Sequence, residues 1–222
     1  MNASSLSGRQ FKASLRESLL HETLDAALSE ILQMPPRKVV NPLISFLCSS
    51  EPLLYWRSIS AIGAVVAMTA SHDLESARVI MRRLMWQLNE ESGGIGWGCP
   101  EAMGEIMARC DQMAKEYACI LVSFINPDGS FIEHPILQQG VLWGLGRLAH
   151  VRPERVASAS AFLTPLLSDA NPVTRGLSAW VVAALPGSAT KPLLIRLSDD
   201  NELIPFYING SFCSRTISSL TR

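Results

Sequence analysis

Glu101, Glu105 and Arg109 recur at i, i+4 and i+8, a spacing that lines side chains along one stripe of a helix. Two carboxylates so placed stand about 5–6 Å apart between Cβ atoms, close enough to raise one another's pKa, which is what general acid–base chemistry requires. A plainer reading stands beside it. Glu101 falls in the first helical turn, where an acid complements the dipole, and Glu105 with Arg109 makes an i, i+4 ion pair. At an offset of 42 residues, Gln139, Trp143 and Arg147 repeat the stripe, aligning Glu101 with Trp143 and Glu105 with Arg147. Ser60 and Trp180 take equivalent places in flanking segments. Together these residues describe a groove of carboxylates, arginines and indoles, a surface for a partner to cover. If Trp143 and Trp180 instead fill gaps between helices, only a polar rim remains.

Other chemistry is thinner. Gly93, Gly94, Gly96 and Gly98 surround Trp97 just before a helix. That run is not G-x-G-x-x-G and follows a helix, so neither a dinucleotide fold nor a P-loop fits, and Glu101 would repel a phosphate there. It reads as a recognition lid carrying Trp97 or as a neutral insertion between helices. His134 lies near a helix start beside the stripe, but no ligand spacing joins it to Glu101 and Glu105 in a metal site. No G-x-S-x-G occurs, and no cysteine has a histidine partner in sequence. The reading therefore calls for no cofactor, metal or catalytic residue.

The 222 residues are 48% hydrophobic and only 18% charged, which excludes intrinsic disorder. Net charge is −1, so the basic excess of a generic nucleic-acid binder is missing. The longest apolar run, residues 58–70, is shorter than the roughly 20 residues that cross a bilayer, and no membrane association is expected. The N-terminus lacks a charged segment followed by an apolar one, so no signal peptide is expected. Five cysteines without a C-x-x-C point to reduced thiols and a cytoplasmic protein.

Almost every segment has helical period. Helices are predicted over residues 8–20, 21–33, 37–48, 52–70, 74–89, 100–110, 113–124, 134–150, 153–167, 172–185 and 191–197. Pro35-Pro36 divides the second from the third, and Asn126-Pro-Asp-Gly-Ser130 is a turn. The last twenty residues fit no simple helix. An apolar helix, a short polar turn and a helix of small and apolar residues recur as one unit. Leu43–Leu47 with Arg57–Gly63 is one copy, and Leu163–Leu167 with Val173–Ala183 is another. Two more lie between, and Leu194–Asp199 begins a fifth that breaks off as a cap would. Gly63, Gly104, Gly146 and Ala183 take matching places at spacings of 41, 42 and 37.

The Asp/Asn-rich turn, the pair Val173 and Arg175, and the Ala/Gly-rich second helix resemble the HEAT-like repeats of the armadillo-type class over about residues 42–198. The resemblance implies an all-α, α-α superhelix of about four to five helix pairs, with second helices on the concave face. It also implies structural arginines at Arg57 and Arg175, bonding across the stack. The expected layout is one compact domain, with N-terminal capping helices (1–34), a repeat array (35–198) and a C-terminal cap (199–222).

A non-catalytic scaffold that binds a protein on its concave face leads. Trp97, Glu101, Glu105, Arg109, Gln139, Trp143, Arg147 and Trp180 are its expected contacts. Enzymes similar to DNA alkylation-repair glycosylases or tetrapyrrole lyases are the alternative; the deoxyhypusine hydroxylase type would need several His-Glu pairs, and only His21-Glu22 occurs. Self-association through residues 74–89, with Trp86 as core or interface, is a third class.

Overall fold

The computed structural model describes residues 7–20, 23–88, 96–187 and 191–222. Its helices are α1 (Gly8–Leu19), α2 (Leu24–Ile31), α3 (Pro36–Phe46), α4 (Pro52–His72), α5 (Leu74–Gln87), α6 (Cys99–Arg109), α7 (Asp111–Ser123), α8 (Pro135–Ala149), α9 (Ser160–Leu166), α10 (Pro172–Ala184) and α11 (Lys191–Leu194). Strands β1 (Leu203–Ile208) and β2 (Ser211–Thr216) pair in a hairpin. The chain forms two compact units, Met1–Gly98 with Tyr207–Phe212, and Cys99–Phe206 with Cys213–Arg222.

Local chemistry sets the helix ends. Ser7 accepts from the backbone of Gln10 and Gln10 returns the bond, a capping box for α1. Thr23, Asp73 and Asn171 cap α2, α5 and α10 by a side-chain oxygen that accepts from the backbone of the first turn. Pro36, Pro52, Pro135 and Pro172 open their helices, where a missing N–H costs nothing. The helix predicted over 153–167 is broken. Two short 3-10 turns, Pro153–Arg155 and Ala157–Ala159, precede α9, because Val156 leaves helical geometry at φ −125°.

In unit 1, α4 is the core helix and packs against α3 and α5. Its 21 residues are long and apolar enough to cross a membrane, a length the sequence reading understated. Yet 61% of its apolar window is buried in the protein, as expected of a core helix. Arg57 is buried at the start of α4 and donates to the Leu19 carbonyl (2.9 Å), closing the end of α1. Gly63 is buried in the same helix. The hairpin tip completes this unit. Tyr207 stacks on Trp56 (5.1 Å between centroids, 11° between planes), and its hydroxyl pairs with Ser60 Oγ at 2.9 Å. Asn209 and Gly210 both have positive φ (51° and 78°), the geometry of a tight hairpin turn.

In unit 2, α6 packs on α8 and α8 on α10. A Cβ on Gly104 would lie 2.3 Å from the Gly144 Cα, so the α6 and α8 backbones touch. Gly146, on another face of α8, receives the Trp180 ring, which a Cβ would approach to 2.2 Å. Arg175, at the start of α10, donates to Asp200 (2.9 Å) and to the Asp169 carbonyl (2.7 Å), tying the turn before α10 to the segment before β1. Ile204 and Ile217 close over Gly176.

Gly104→Ala separates two effects of opposite sign. Helix propensity alone would stabilise α6 by up to about 1 kcal/mol, whereas the Cβ meets rigid backbone and must push α8 away. A net loss of about 2 kcal/mol or more is expected in urea unfolding; a stabilised variant would mean the helices are not in backbone contact.

Candidate functional site

The predicted stripe lies on α6 and α8 of unit 2, and the two helices place its members differently. Glu105 sits mid-helix, 3% exposed. One carboxylate oxygen accepts from Arg109 Nε at 2.6 Å, and the other accepts from Arg147 Nε at 2.6 Å. The first bond is the i, i+4 pair within α6. The second joins α6 to α8 at the offset of 42 that aligned the two residues in sequence. A buried carboxylate is costly unless paired and hydrogen-bonded, and two guanidinium partners meet that need. The arginine side chains remain partly open, 31% exposed at Arg109 and 29% at Arg147. Each spends its Nε on Glu105 and keeps part of its side chain in solvent, in the last turns of α6 and α8.

Glu101 is also buried, in the first turn of α6. Its carboxylate lies over Gly140 of α8, where a Cβ would come within 2.6 Å. Glycine at 140 is thus required by the carboxylate beside it. Gln139 donates toward Asn171 Oδ1 (3.3 Å) and Thr174 Oγ1 (3.4 Å), joining α8 to the capped start of α10.

Trp143 and Trp180 are not on an open groove. They are 4% and 5% exposed, with ring centroids 6.2 Å apart. Phe206 of β1 meets Trp180 edge-on at 4.9 Å, and His150 stacks on it at 4.9 Å. The indoles are core between α8, α10 and the hairpin. Burial likewise corrects the expectation that Glu101 and Glu105 present free carboxylates to a ligand. Of the predicted contacts in unit 2, Arg109, Arg147 and the half-buried Gln139 keep access to solvent.

Trp97 is half-buried in unit 1, in the turn before α6. Gly96 and Gly98 beside it have positive φ; Gly93, Gly94 and Ile95 lie outside the described residues, as do His21 and Glu22. His134 precedes α8 without capping it by its side chain. Among the described residues, no group of three or more His, Cys, Asp or Glu side chains could hold a metal ion.

Sequence reasoning missed the residues that cover the inner helices, Phe206 and Tyr207. Their signal was the Asn209-Gly210 pair, a strong short-range mark of a hairpin. It also missed a charged cluster at the start of α7, where Asp111 accepts from Arg155 (3.1 Å) and pairs with Lys115 (2.9 Å). Hydrogen bonding to Lys115, aided by Arg155, lowers the Asp111 pKa.

No protein-family model matches the chain. It is 24% identical over 176 residues to an uncharacterized protein of Archaeoglobus fulgidus, covering 78% of this chain and 88% of that one. Two designed armadillo repeat proteins are similar in structure. One, YIII(Dq)4CqI, has a TM-score of 0.53 at 13% identity, covering 98% of this chain and 93% of the other. The second, in complex with the peptide (KR)4, has a TM-score of 0.53 at 14% identity, with 90% of each chain covered. An engineered protein has a TM-score of 0.51 at 14% identity over 90% of this chain and 87% of that one. This chain has an armadillo/HEAT-like helical-repeat fold. In armadillo/HEAT terms, α6, α8 and α10 are the second helices of successive repeats, and the Glu105 bridge is a contact between two of them.

One titratable group on this repeat stack is tuned by its packing. The His150 Nε2 lies 3.2 Å from the Trp180 carbonyl, which can only accept, so the ring nitrogen donates. Burial against Trp180 lowers the His150 pKa, outweighing that bond, and the charge of Arg147 lowers it further. The unfolded chain therefore takes up this proton first. The contribution of His150 to stability is complete above about pH 6.5 and is lost as pH falls from there through the folded value. Thermal unfolding of His150→Gln, which keeps a donor to the carbonyl, should lose less stability than wild type between neutral pH and pH 5. Identical pH profiles would contradict this.

Proposed function

We propose that this protein is a non-catalytic armadillo/HEAT-like module that binds a segment of another protein along the ends of α6 and α8. The observation that carries the reading is the bridge at Glu105. One buried carboxylate holds two arginines of consecutive repeats by their Nε atoms, while both side chains stay partly open to solvent. Such an arrangement suits carboxylates and main-chain carbonyls of a bound segment, and a guanidinium already held in place loses little entropy on binding. A designed armadillo repeat protein of similar fold forms a complex with a peptide, which supports a peptide as the class of ligand. Gln139 lies on the same helix as Arg147 and extends the polar surface toward α10. We place the protein in the cytoplasm on the pattern of its five cysteines, no two of which form a C-x-x-C.

The same bridge argues against acid–base catalysis by Glu105. Both of its carboxylate oxygens are taken by guanidiniums, which leaves none free for a substrate.

The test is affinity purification of the full chain from its native host at low salt, with mass spectrometry of what co-elutes. Wild type is expected to retain a protein in stoichiometric amount, and Arg109→Lys/Arg147→Lys, which keeps a cation beside Glu105 but removes the guanidiniums, to retain at least about tenfold less at unchanged helicity. Retention unaffected by the double substitution contradicts the site. Co-elution of nucleic acid or of a tetrapyrrole chromophore without a protein transfers the assignment to the glycosylase-like or lyase-like enzymes.

A further inference from the structure

The helices of unit 1 leave a second surface that the bridge at Glu105 does not involve. Between the start of α3 and the outer face of α5 runs a groove of about 500 Å³. Its apolar lining comes from Pro35, Pro36 and Val40 on one side and from Val79 and Ile80 on the other. Ser76, Val79, Ile80 and Arg83 follow the i, i+3, i+4, i+7 spacing, so one stripe of α5 forms a wall. The stripe does not stop there. Trp86, one turn beyond Arg82 and Arg83, is 72% exposed, and Val79 is 55% exposed. A large indole and a valine left in water beside an apolar groove mark an interaction site rather than scattered surface residues.

The charge around this groove is mostly basic. Arg37 and Arg83 line it, Arg82 lines the adjoining pocket with Val79 and Trp86, and Asp73 is the one carboxylate among these residues. Asp73 is already used. It caps α5 through the Ser76 backbone (3.0 Å) and the Ser76 hydroxyl (2.5 Å), and these bonds lower its pKa. Arg83 donates to the side-chain oxygen of Asn41, a neutral partner that positions the guanidinium without cancelling its charge. Arg82 is paired with Glu75, which is itself shared with Arg78. A chain of net charge −1 thus carries a locally basic rim around an apolar slot.

We propose that this groove docks an acidic protein segment with a large apolar side chain, the apolar group entering between Val40 and Ile80 and the flanking carboxylates meeting Arg37, Arg82 and Arg83. A second copy of the chain docking by two-fold symmetry would set Arg37, Arg82 and Arg83 against themselves, a like-charge juxtaposition. A nucleic acid would bring backbone phosphates to the arginines but would leave a slot lined by prolines and valines with no partner of its own polarity. The acidic apolar segment satisfies both features. This surface lies wholly within unit 1, so it goes beyond the function proposed for the arginines of α6 and α8.

The experiment is selection of a phage-displayed random peptide library on the immobilised full-length protein. Selected peptides are then titrated by fluorescence anisotropy against wild type, Arg83→Glu, Val79→Asp and Arg147→Glu. Val79 and Arg83 are exposed, so both substitutions should keep the fold, which circular dichroism verifies; Arg82→Glu serves if either does not. The expected result is enrichment of peptides with Asp or Glu around Leu, Phe or Trp. Their affinity should fall at least about tenfold in Arg83→Glu and Val79→Asp, weaken with added salt and persist in Arg147→Glu. Enriched peptides indifferent to Arg83→Glu and Val79→Asp overturn the inference, and if they are lost in Arg147→Glu the function proposed above stands without it. Failure to enrich any acidic peptide overturns it as well. So does displacement of the peptides by oligo-dT at equal or higher affinity, or a dimer that dissociates on Val79→Asp.

Discussion

Unit 2 is organised by the backbone contact of α6 with α8 at Gly104 and Gly144. At that distance a side chain from one helix reaches the next without leaving the protein interior, and Glu105 does so, meeting Arg147 at 2.6 Å. The contact and the charge pair depend on one another. A wider spacing would break the bond and leave a buried carboxylate with one partner, at a cost of several kcal/mol. Without the bond, two arginines at the helix ends would repel. Glycines at 140, 144 and 146 then follow from three neighbours, the Glu101 carboxylate, the Pro100 carbonyl and the Trp180 ring, each where a Cβ would stand.

The hairpin gives each unit part of its core. In unit 1 Tyr207 seals Ser60 and Trp56; in unit 2 Phe206 seals Trp180. Ser60 and Trp180 are two of the positions the repeat pattern assigns to an open face. Burial there leaves solvent-facing chemistry to the guanidiniums of Arg109 and Arg147 in unit 2 and to the outer stripe of α5 in unit 1. Both surfaces are arginine-rich, although the whole chain is near neutrality.

The fold was legible in sequence because its signals are local and repeated. Proline at the first turn, side-chain caps and helical periodicity placed most helices to within two or three residues, and the offset of 42 found the pair Glu105 and Arg147. Where the reading failed, the deciding contacts were not local. A wheel drawn on one helix has two faces, but α8 is covered by α6 and by α10, whose Trp180 meets Trp143, so Trp143 is core on the side that the wheel leaves free. The break at Val156 belongs to the same class. The hairpin was missed for another reason. Asn209-Gly210 is an explicit turn signal, but the sequence reading takes Ile204–Gly210 only as an interruption of helix and leaves the last twenty residues unassigned.

The central claim is that Glu105 couples consecutive repeats by holding Arg109 and Arg147. A double-mutant cycle with Glu105→Gln and Arg147→Gln, read by urea unfolding, tests it most directly. The account predicts a coupling energy above about 1 kcal/mol, since residues sharing a buried network are not additive. Additive losses, within about 0.3 kcal/mol of zero coupling, would show that the two side chains do not depend on one another and would contradict it.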